Sequence, residues 1–320
     1  MPAVAAPARP VALPGPADLE AARAVVTARL APTPLVDSPL GGGCRLKLET
    51  FQPTGAFKVR GALAALARLP AGVPAVTASA GNHGLGVAWA ARALGREATI
   101  VVPENASSAK VAALRALGAD LRLAGTSYDE AERHALELAA EGAAFVSAYN
   151  DRDVIAGQAT IGPELPGGPL CVVVPVGGGG LLAGVVAWAG RREDVRVVGV
   201  EAAASRAVSA AVAAGGIVEV EVGPTLADGL AGNLEPGSVT VEAAARAELV
   251  AVQEPELEAA MRALARAHGL LVEGAGAAGV AALEAGRCAA RPGETVVALV
   301  TGRNIALDAA ARILGVRTAA

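Results

Sequence analysis

The chain reads as an α/β protein made of two open parallel-sheet lobes, and three features carry that expectation. Its 320 residues exceed what one hydrophobic core usually serves and point to about two lobes. Between residues 71 and 148, short apolar runs alternate with helical patterns, the signature of parallel strands joined by helical crossovers. Farther on, Leu170-Cys171-Val172-Val173-Val174-Pro175-Val176 is apolar without alternation, as a strand buried on both faces must be.

Taken in order, Leu19 to Leu30 space their apolar residues as a helix does, with Asp18 placed to cap it. Thr33-Pro34-Leu35 opens an extended stretch, and Arg45 to Glu49 alternate as a strand does. Pro53-Thr54-Gly55 stops any regular element before Gly61 to Arg68, which has a helical period. Ala75–Ala78, Ala98–Val102, Leu121–Leu123 and Ala144–Ser147 read as strands, separated by helices over Gly84–Leu94, Ser107–Leu117 and Tyr128–Glu141. These make residues 71–148 a small αβ lobe inserted into a larger one formed by 1–70 and 149–320. The larger lobe continues with a helix over Gln158–Leu165, the apolar strand, and a helix ending near Ala189. Strands over Val195–Val200 and Thr295–Val300 and helices over Glu254–His268 and Gly274–Ala285 complete it. Strand order does not follow from one sequence.

A net charge of −4 with no basic block argues against nucleic acid or an anionic membrane surface as partner. Cys44, Cys171 and Cys288 lie far apart in the chain without CxxC spacing, so neither a disulfide framework nor a zinc site is expected, and buried apolar roles are. Met1 to Pro16 lacks the basic start and apolar core of a signal peptide and is expected to fray. Gly, Pro and charges interrupt every apolar run before it could span a bilayer, which makes the expected setting cytoplasmic.

The chemistry gathers around one lysine. Phe51-Gln52-Pro53-Thr54-Gly55-Ala56-Phe57-Lys58-Val59-Arg60-Gly61-Ala62 joins a turn to a helix start. Set among Phe57, Val59 and small residues, Lys58 is a candidate for burial, which lowers a lysine pKa toward the neutral amine that condenses with an aldehyde. A lysine reaching out to solvent fits the same stretch equally well. Val174-Pro175-Val176-Gly177-Gly178-Gly179-Gly180-Leu181 puts four glycines between a buried strand and a helix. Their N–H groups can converge on an anion at the helix N-terminus, which makes a phosphate cradle. Gly178-x-Gly180-x-x-Ala183 also fits a dinucleotide fingerprint, with Glu201 about twenty residues on as a ribose-binding acid. On those residues alone a nicotinamide oxidoreductase stays open. Ser79-Ala80-Gly81-Asn82-His83-Gly84 offers backbone donors to a carboxylate and the Asn82 amide to a phenolate oxygen. A helix-capping turn also accounts for it, and a structural histidine at such a turn is common.

Together these segments resemble the fold-type II pyridoxal phosphate (PLP) enzymes, of the tryptophan synthase β-like architecture with the cofactor in a cleft between two lobes. Within them the threonine/serine dehydratase branch is the nearest in motif, and the resemblance runs from Thr33 onward. It implies that Lys58 carries PLP and acts as base, while Phe57, Asn82, Gly177, Gly178, Gly179, Gly180, Leu181 and Thr301 hold the cofactor. It places Ser79, Ala80, Gly81, His83, Asp228 and Gly229 around the substrate. Thr301, in Leu299-Val300-Thr301-Gly302-Arg303-Asn304, would meet the pyridine nitrogen with a neutral hydroxyl, which suits elimination. Arg303 departs from the family's SGGN pattern and either reaches the cofactor edge or an acidic substrate, or faces solvent.

Val59 follows the lysine where cysteine synthases carry Asp, which points to elimination rather than β-replacement. Ala80 stands where serine racemases carry a hydroxyl; alanine cannot exchange a proton, so one base is implied. Glu273, in Leu271-Val272-Glu273-Gly274-Ala275, either lines the cofactor or caps a helix. The family's cation site near Glu201 lacks carboxylate help from Ala202 to Ala207, so no metal is expected. The implied reaction dehydrates a small-molecule β-hydroxy-α-amino acid, threonine or serine, to a 2-oxo acid and ammonia, in a homodimer or other homo-oligomer. Competing readings are another PLP lyase or synthase (hydroxyaspartate or phenylserine dehydratase, threonine synthase-like) and a non-catalytic PLP-binding protein.

Overall fold

The computed structural model describes residues 11–190 and 192–315; most of the opening stretch expected to fray, residues 1–10, lies outside them. The chain runs α1 (Pro16–Thr27), β1 (Leu35–Ser38), β2 (Cys44–Leu48), α2 (Lys58–Arg68), β3 (Ala75–Ala78), α3 (Asn82–Leu94), β4 (Ala98–Val102), α4 (Ser108–Ala116) and β5 (Asp120–Leu123). It continues with α5 (Tyr128–Ala140), β6 (Ala144–Phe145), α6 (Arg152–Ala159), β7 (Leu170–Pro175), α7 (Gly180–Ala189), β8 (Val195–Ala202) and α8 (Ala207–Ala214). Last come α9 (Thr240–Ala244), β9 (Glu248–Val252), α10 (Glu254–His268), α11 (Gly274–Glu284), β10 (Thr295–Val300) and α12 (Leu307–Leu314).

Two sheets result. The larger has the order β1-β2-β10-β7-β8-β9 and the smaller β5-β4-β3-β6. Every pairing is parallel except β1 with β2. Both sheets carry helices on both faces. In the larger, Leu257, Met261 and Leu264 of α10 cover one side with α11, while Leu182, Val185 and Val186 of α7 cover the other. In the smaller, α5 supplies Ala131 and Ala135 to one face, and Val26, Leu63, Leu66 and Val87 from α1, α2 and α3 pack on the other.

The topology decides where a site can form. Parallel strands end at one edge of their sheet, and ligands bind beyond those carboxyl ends where the strand order reverses. Neighbouring β2, β10 and β7 run the same way. The Lys58 segment, Thr301 and the glycine loop therefore leave the large sheet at one edge, and Ser79 leaves the small sheet after β3.

The structure corrects several expectations. Asp18 does not cap α1; Gly15 does, and Asp18 sits three residues in, where its carboxylate accepts from Gly15 N at 2.8 Å. Pro16, lacking an N–H, takes the first helical position, where no donor is needed. The helix expected over Gln158–Leu165 is α6, six residues earlier at its start, capped by Asp151 accepting from Asp153 N and Val154 N at 2.9 and 3.0 Å. Pro163 confines the rest to a separate 3₁₀ turn over Gly162–Glu164. The strand expected to reach Ser147 pairs only at Ala144 and Phe145, because Ser147 Oγ turns the chain by accepting from Asn150 N at 3.1 Å.

The alternation read in Arg45 to Glu49 is not that of a half-exposed strand: Lys47 and Glu49 are buried and ion-paired. The expected elements do not include the strand β9 or the helices α8, α9 and α12. All three cysteines are free and buried, yet Cys171 and Cys288, distant in the chain, bring their sulfurs to 3.7 Å. Among the described residues no helix is long and apolar enough to cross a membrane, and no cluster suits a metal ion.

Candidate active site

Lys58 is the first residue of α2, and the chain before it is held from two directions. Phe57 N donates to Thr301 O at 3.0 Å, Ala56 bridges Gly302, and Arg303 N donates to Gly55 O at 3.0 Å. The Lys58 amine donates to Ala148 O at 2.9 Å and lies 5.3 Å from the centre of the Phe57 ring. Burial lowers its pKa from 10.5 to about 8, with the Glu273 carboxylate opposing the shift. The side chain is half-buried and turned to Ala148 rather than out to solvent, and a neutral fraction exists near pH 8.

Beneath this lysine lies a closed ionic cluster. Arg60, with no exposed surface, gives Nε and Nη2 to Glu49 at 2.8 Å each and Nη1 and Nη2 to Glu164 at 2.7 and 2.9 Å. Lys47 bonds Glu164 at 2.5 Å and Thr33 O at 2.7 Å, and Thr33 and Gln52 complete Glu49. Two cations meet two carboxylates, and the first turn of α2 is riveted to β2 and to the 3₁₀ turn after α6.

Gly177–Gly180 follow β7, with Gly179 in the left-handed region at φ 86° and α7 starting at Gly180. Three of these positions tolerate no side chain. A Cβ on Gly178 would stand 2.4 Å from the Tyr149 ring, one on Gly179 2.8 Å from Thr240 Cβ, and one on Gly180 2.7 Å from Tyr149 Cα. Thr240 Oγ1 donates to Gly178 O at 2.8 Å and braces the loop from behind. Leu181, next in the helix, is buried. The result is a bare rim of peptide at a helix N-terminus, which suits a phosphate.

Ser79, Ala80 and Gly81 form the turn from β3 into α3, where Ser79 Oγ accepts from Gly81 N at 3.2 Å. Asn82 opens the helix and faces the other lobe: its Nδ2 donates to Glu273 Oε1 at 2.8 Å, and its Oδ1 accepts from Asn304 Nδ2 at 2.6 Å. Glu273, the N-cap of α11 and 7 % exposed, has its pKa raised by burial to about 7, partly offset by the Asn82 bond. It stands at the N-cap position but its side chain makes no cap bond there; the carboxylate lines the cleft instead. His83 is buried; Nε2 meets Val146 O at 3.0 Å while Nδ1 has no partner. Burial and the Lys58 charge lower its pKa to about 3. A carbonyl partner puts the proton on Nε2 and leaves Nδ1 as an acceptor.

Thr301 is buried directly after β10 and Arg303 is exposed. Asp228, exposed, pairs with Lys110 of α4 at 3.6 Å across the cleft, and Gly229 adjoins Gly177. Glu201 stands elsewhere: it accepts from Val208 N at 2.9 Å and also from Ser209, capping α8. That carboxylate is spent on a helix end and is not an open acid for a ribose or a cation. Sequence reasoning missed Ala148, Tyr149 and Thr240, which no motif marks, and gave the Asn304 side chain no role.

A two-lobed parallel α/β protein with an amine of lowered pKa beside a glycine cradle defines the class of PLP-dependent enzymes. A family model described as "Pyridoxal-phosphate dependent enzyme" matches residues 26–302, and the chain belongs to that family. It is 42% identical to the L-threonine ammonia-lyase of Thermotoga maritima over 298 residues, covering 89% of this chain and 73% of that one. It is 43% identical to the enzyme of the same name from Geobacter sulfurreducens over 277 residues, covering 83% and 68%. Among solved structures it superposes on a T.th. threonine deaminase with a TM-score of 0.83 and 34% identity, covering 92% of this chain and 99% of that one. A maize serine racemase gives 0.85 at 28% identity, covering 92% and 95%. The residues present fit the cofactor: three glycines that a Cβ would block and a lysine poised to lose its proton.

Proposed function

We propose that the protein is a PLP-dependent lyase that removes water from a β-hydroxy-α-amino acid, threonine or serine, to give an enamine that takes water back as it hydrolyses to a 2-oxo acid and ammonia. The observation that carries this reading is the Lys58 amine. It is lowered to a pKa of about 8 and is tied through Ala148 and Tyr149 to the glycine loop and through Phe57 to Thr301. Its near relatives among ammonia-lyases support the substrate class.

When bound, the cofactor supplies an electron sink for the pair left at Cα on deprotonation. Lys58 Nζ would hold the cofactor, and as a neutral amine it would take the α-proton. The N–H groups of Gly177–Gly180 and Leu181 receive the phosphate at the start of α7. Asn82 would offer an N–H to the ring oxygen and Thr301 a hydroxyl to the ring nitrogen, and Phe57 would close one side. The turn Ser79-Ala80-Gly81 takes the substrate carboxylate. His83, neutral and with an acceptor at Nδ1, walls that pocket without adding charge, and Asp228 with Gly229 bounds the far side. Ala80 has no proton to exchange, so delivery from the face opposite Lys58 is absent and elimination is favoured over racemisation. Anchoring the two ends of the substrate–cofactor pair is the positioning contribution to rate.

This reading places the enzyme in the cytoplasm as a homo-oligomer, to be checked by fractionation and light scattering. Its chief test is to load the purified protein with PLP, reduce with borohydride and map the adduct by mass spectrometry. A panel of amino acids is then scored for 2-oxo acid and ammonia. The adduct is expected on Lys58 with turnover of threonine or serine. An adduct elsewhere sinks the lysine assignment, and turnover only of other amino acids sinks the substrate class.

A further inference from the structure

The amide of Asn82 is not free to turn, and what holds it is a chain whose polarity is fixed by the main chain. Asn304 Nδ2 donates to Thr54 O at 2.8 Å. A peptide carbonyl only accepts, so this contact identifies the Asn304 nitrogen without ambiguity. The same nitrogen lies 2.6 Å from Asn82 and 2.8 Å from Thr54, so both of its hydrogens are committed and the Asn82 atom facing it must be the oxygen. Asn82 Nδ2 then faces Glu273 Oε1 at 2.8 Å, a carboxylate oxygen that accepts. Of the two hydrogens on Asn82 Nδ2, Glu273 takes one and the other is left for a ligand.

The members of this chain come from separate parts of the fold. Asn82 begins α3 of the small lobe, Glu273 precedes α11, Asn304 follows β10, and Thr54 belongs to the turn that leads to Lys58. Backbone bonds tie the last three together: Arg303 N donates to Gly55 O at 3.0 Å and Glu273 N to Gly302 O at 3.2 Å. A Cβ on Gly302 would collide with Glu273 Oε1 and push that carboxylate out of its place beside Asn82.

We propose that Asn304 is a positioning residue: with Glu273 it clamps the Asn82 amide across the seam between the lobes, so that Asn82 presents an N–H rather than an oxygen to the cofactor ring. This rests on the PLP reading above. Asn304 acts through Asn82 and not by contact with the reacting atoms. Without it Asn82 can rotate, and both orientations of the amide become available. With Asp at 304 an acceptor would face the Asn82 oxygen, and rotation would be enforced. A lost hydrogen bond to the ionised ring oxygen corresponds to roughly tenfold weaker cofactor affinity.

The test is a double-mutant cycle on cofactor binding rather than on turnover. N304A, N82A and the double variant are titrated with PLP as apoproteins, and the pH midpoint of the visible absorbance is measured for each holoenzyme. N304A is expected to weaken binding about tenfold and to displace the midpoint in the same direction as N82A, while adding nothing in the N82A background. N304D is expected to exceed N304A in both readouts. Equal effects of N304A in both backgrounds would mean that it acts through Thr54 or through folding, and would overturn the proposal. So would an N82A midpoint equal to that of the parent. Borohydride trapping on Lys58 in the parent protein separates these outcomes from failure of the PLP reading itself, and urea denaturation of each apoprotein identifies a variant that merely fails to fold.

Discussion

Arg60 and Lys58 sit two residues apart in the first turn of α2, both turned into the protein, and their surroundings differ in one respect. Arg60 meets Glu49 and Glu164 in paired, two-pronged contacts with every charge answered. Burial alone would raise the Glu49 pKa, but the Arg60 charge and the bonds from Arg60, Thr33 and Gln52 outweigh it and hold the carboxylate ionised. Lys58 meets a carbonyl oxygen, and Glu273, whose own pKa is raised, answers it only in part. Complete compensation makes a buried charge into scaffolding; incomplete compensation makes it reactive. The scaffold is what lets the reactive group stay where it is, since desolvating Lys58 favours leaving the cleft.

The strongest way to break the contrast is R60A. Two buried carboxylates lose their partner, and urea unfolding should show a loss of about 3–5 kcal/mol; a loss under about 1 kcal/mol would mean the cluster is not closed as described. The opposite sign is expected at the neighbouring charge. K58M should abolish cofactor attachment yet stabilise the apoprotein by about 1–2 kcal/mol at neutral pH, discounted because the side chain opens partly to the cleft. The folded pKa of about 8 lies below the ordinary 10.5, so the cost of the buried ammonium is full below pH 8. It is relieved as pH rises toward 10.5. The advantage of K58M should fade over that window, and a constant advantage would point to packing instead.

Glu273 gives a similar effect on the acid side. Its folded pKa of about 7 exceeds the ordinary 4.5, so the folded state holds a proton that the unfolded state has lost, and stability falls as pH rises from 4.5 to 7. E273Q should flatten that part of the apoprotein profile, by on the order of 3 kcal/mol end to end. An unchanged slope would relocate the titration to another group. The smallest effect belongs to the exposed pair across the cleft mouth, Lys110 with Asp228 at 3.6 Å. K110A should change stability by less than about 0.5 kcal/mol, and its effect should vanish in high salt.

Much of the cleft could be read from the chain because its parts are local. A lysine among small residues, glycines between a strand and a helix, and an asparagine at a helix start each carry their chemistry within a few residues. The alternation of strands and helices likewise follows from periodicity. The rest could not be read, because its meaning lies in pairs distant in sequence. Lys47, Glu49 and Arg60 look like ordinary alternating charges until Glu164, more than a hundred positions on, arrives to neutralise them. Tyr149 and Thr240 wall the glycine loop only because α6 and α9 pack on α7. Asn304 was visible as part of a segment, but its hold on Asn82 exists only when the two lobes meet.

The sequence by itself determined the kinds of element and the presence of an amine and an anion cradle, because dihedral preference, hydrophobic period and backbone donors are properties of short stretches. Tertiary structure alone decided the strand order that brings β2, β10 and β7 to one edge, and which buried charges were answered and which were left unanswered. Electrostatic compensation depends on distance through space, and a linear chain does not contain that distance until it folds.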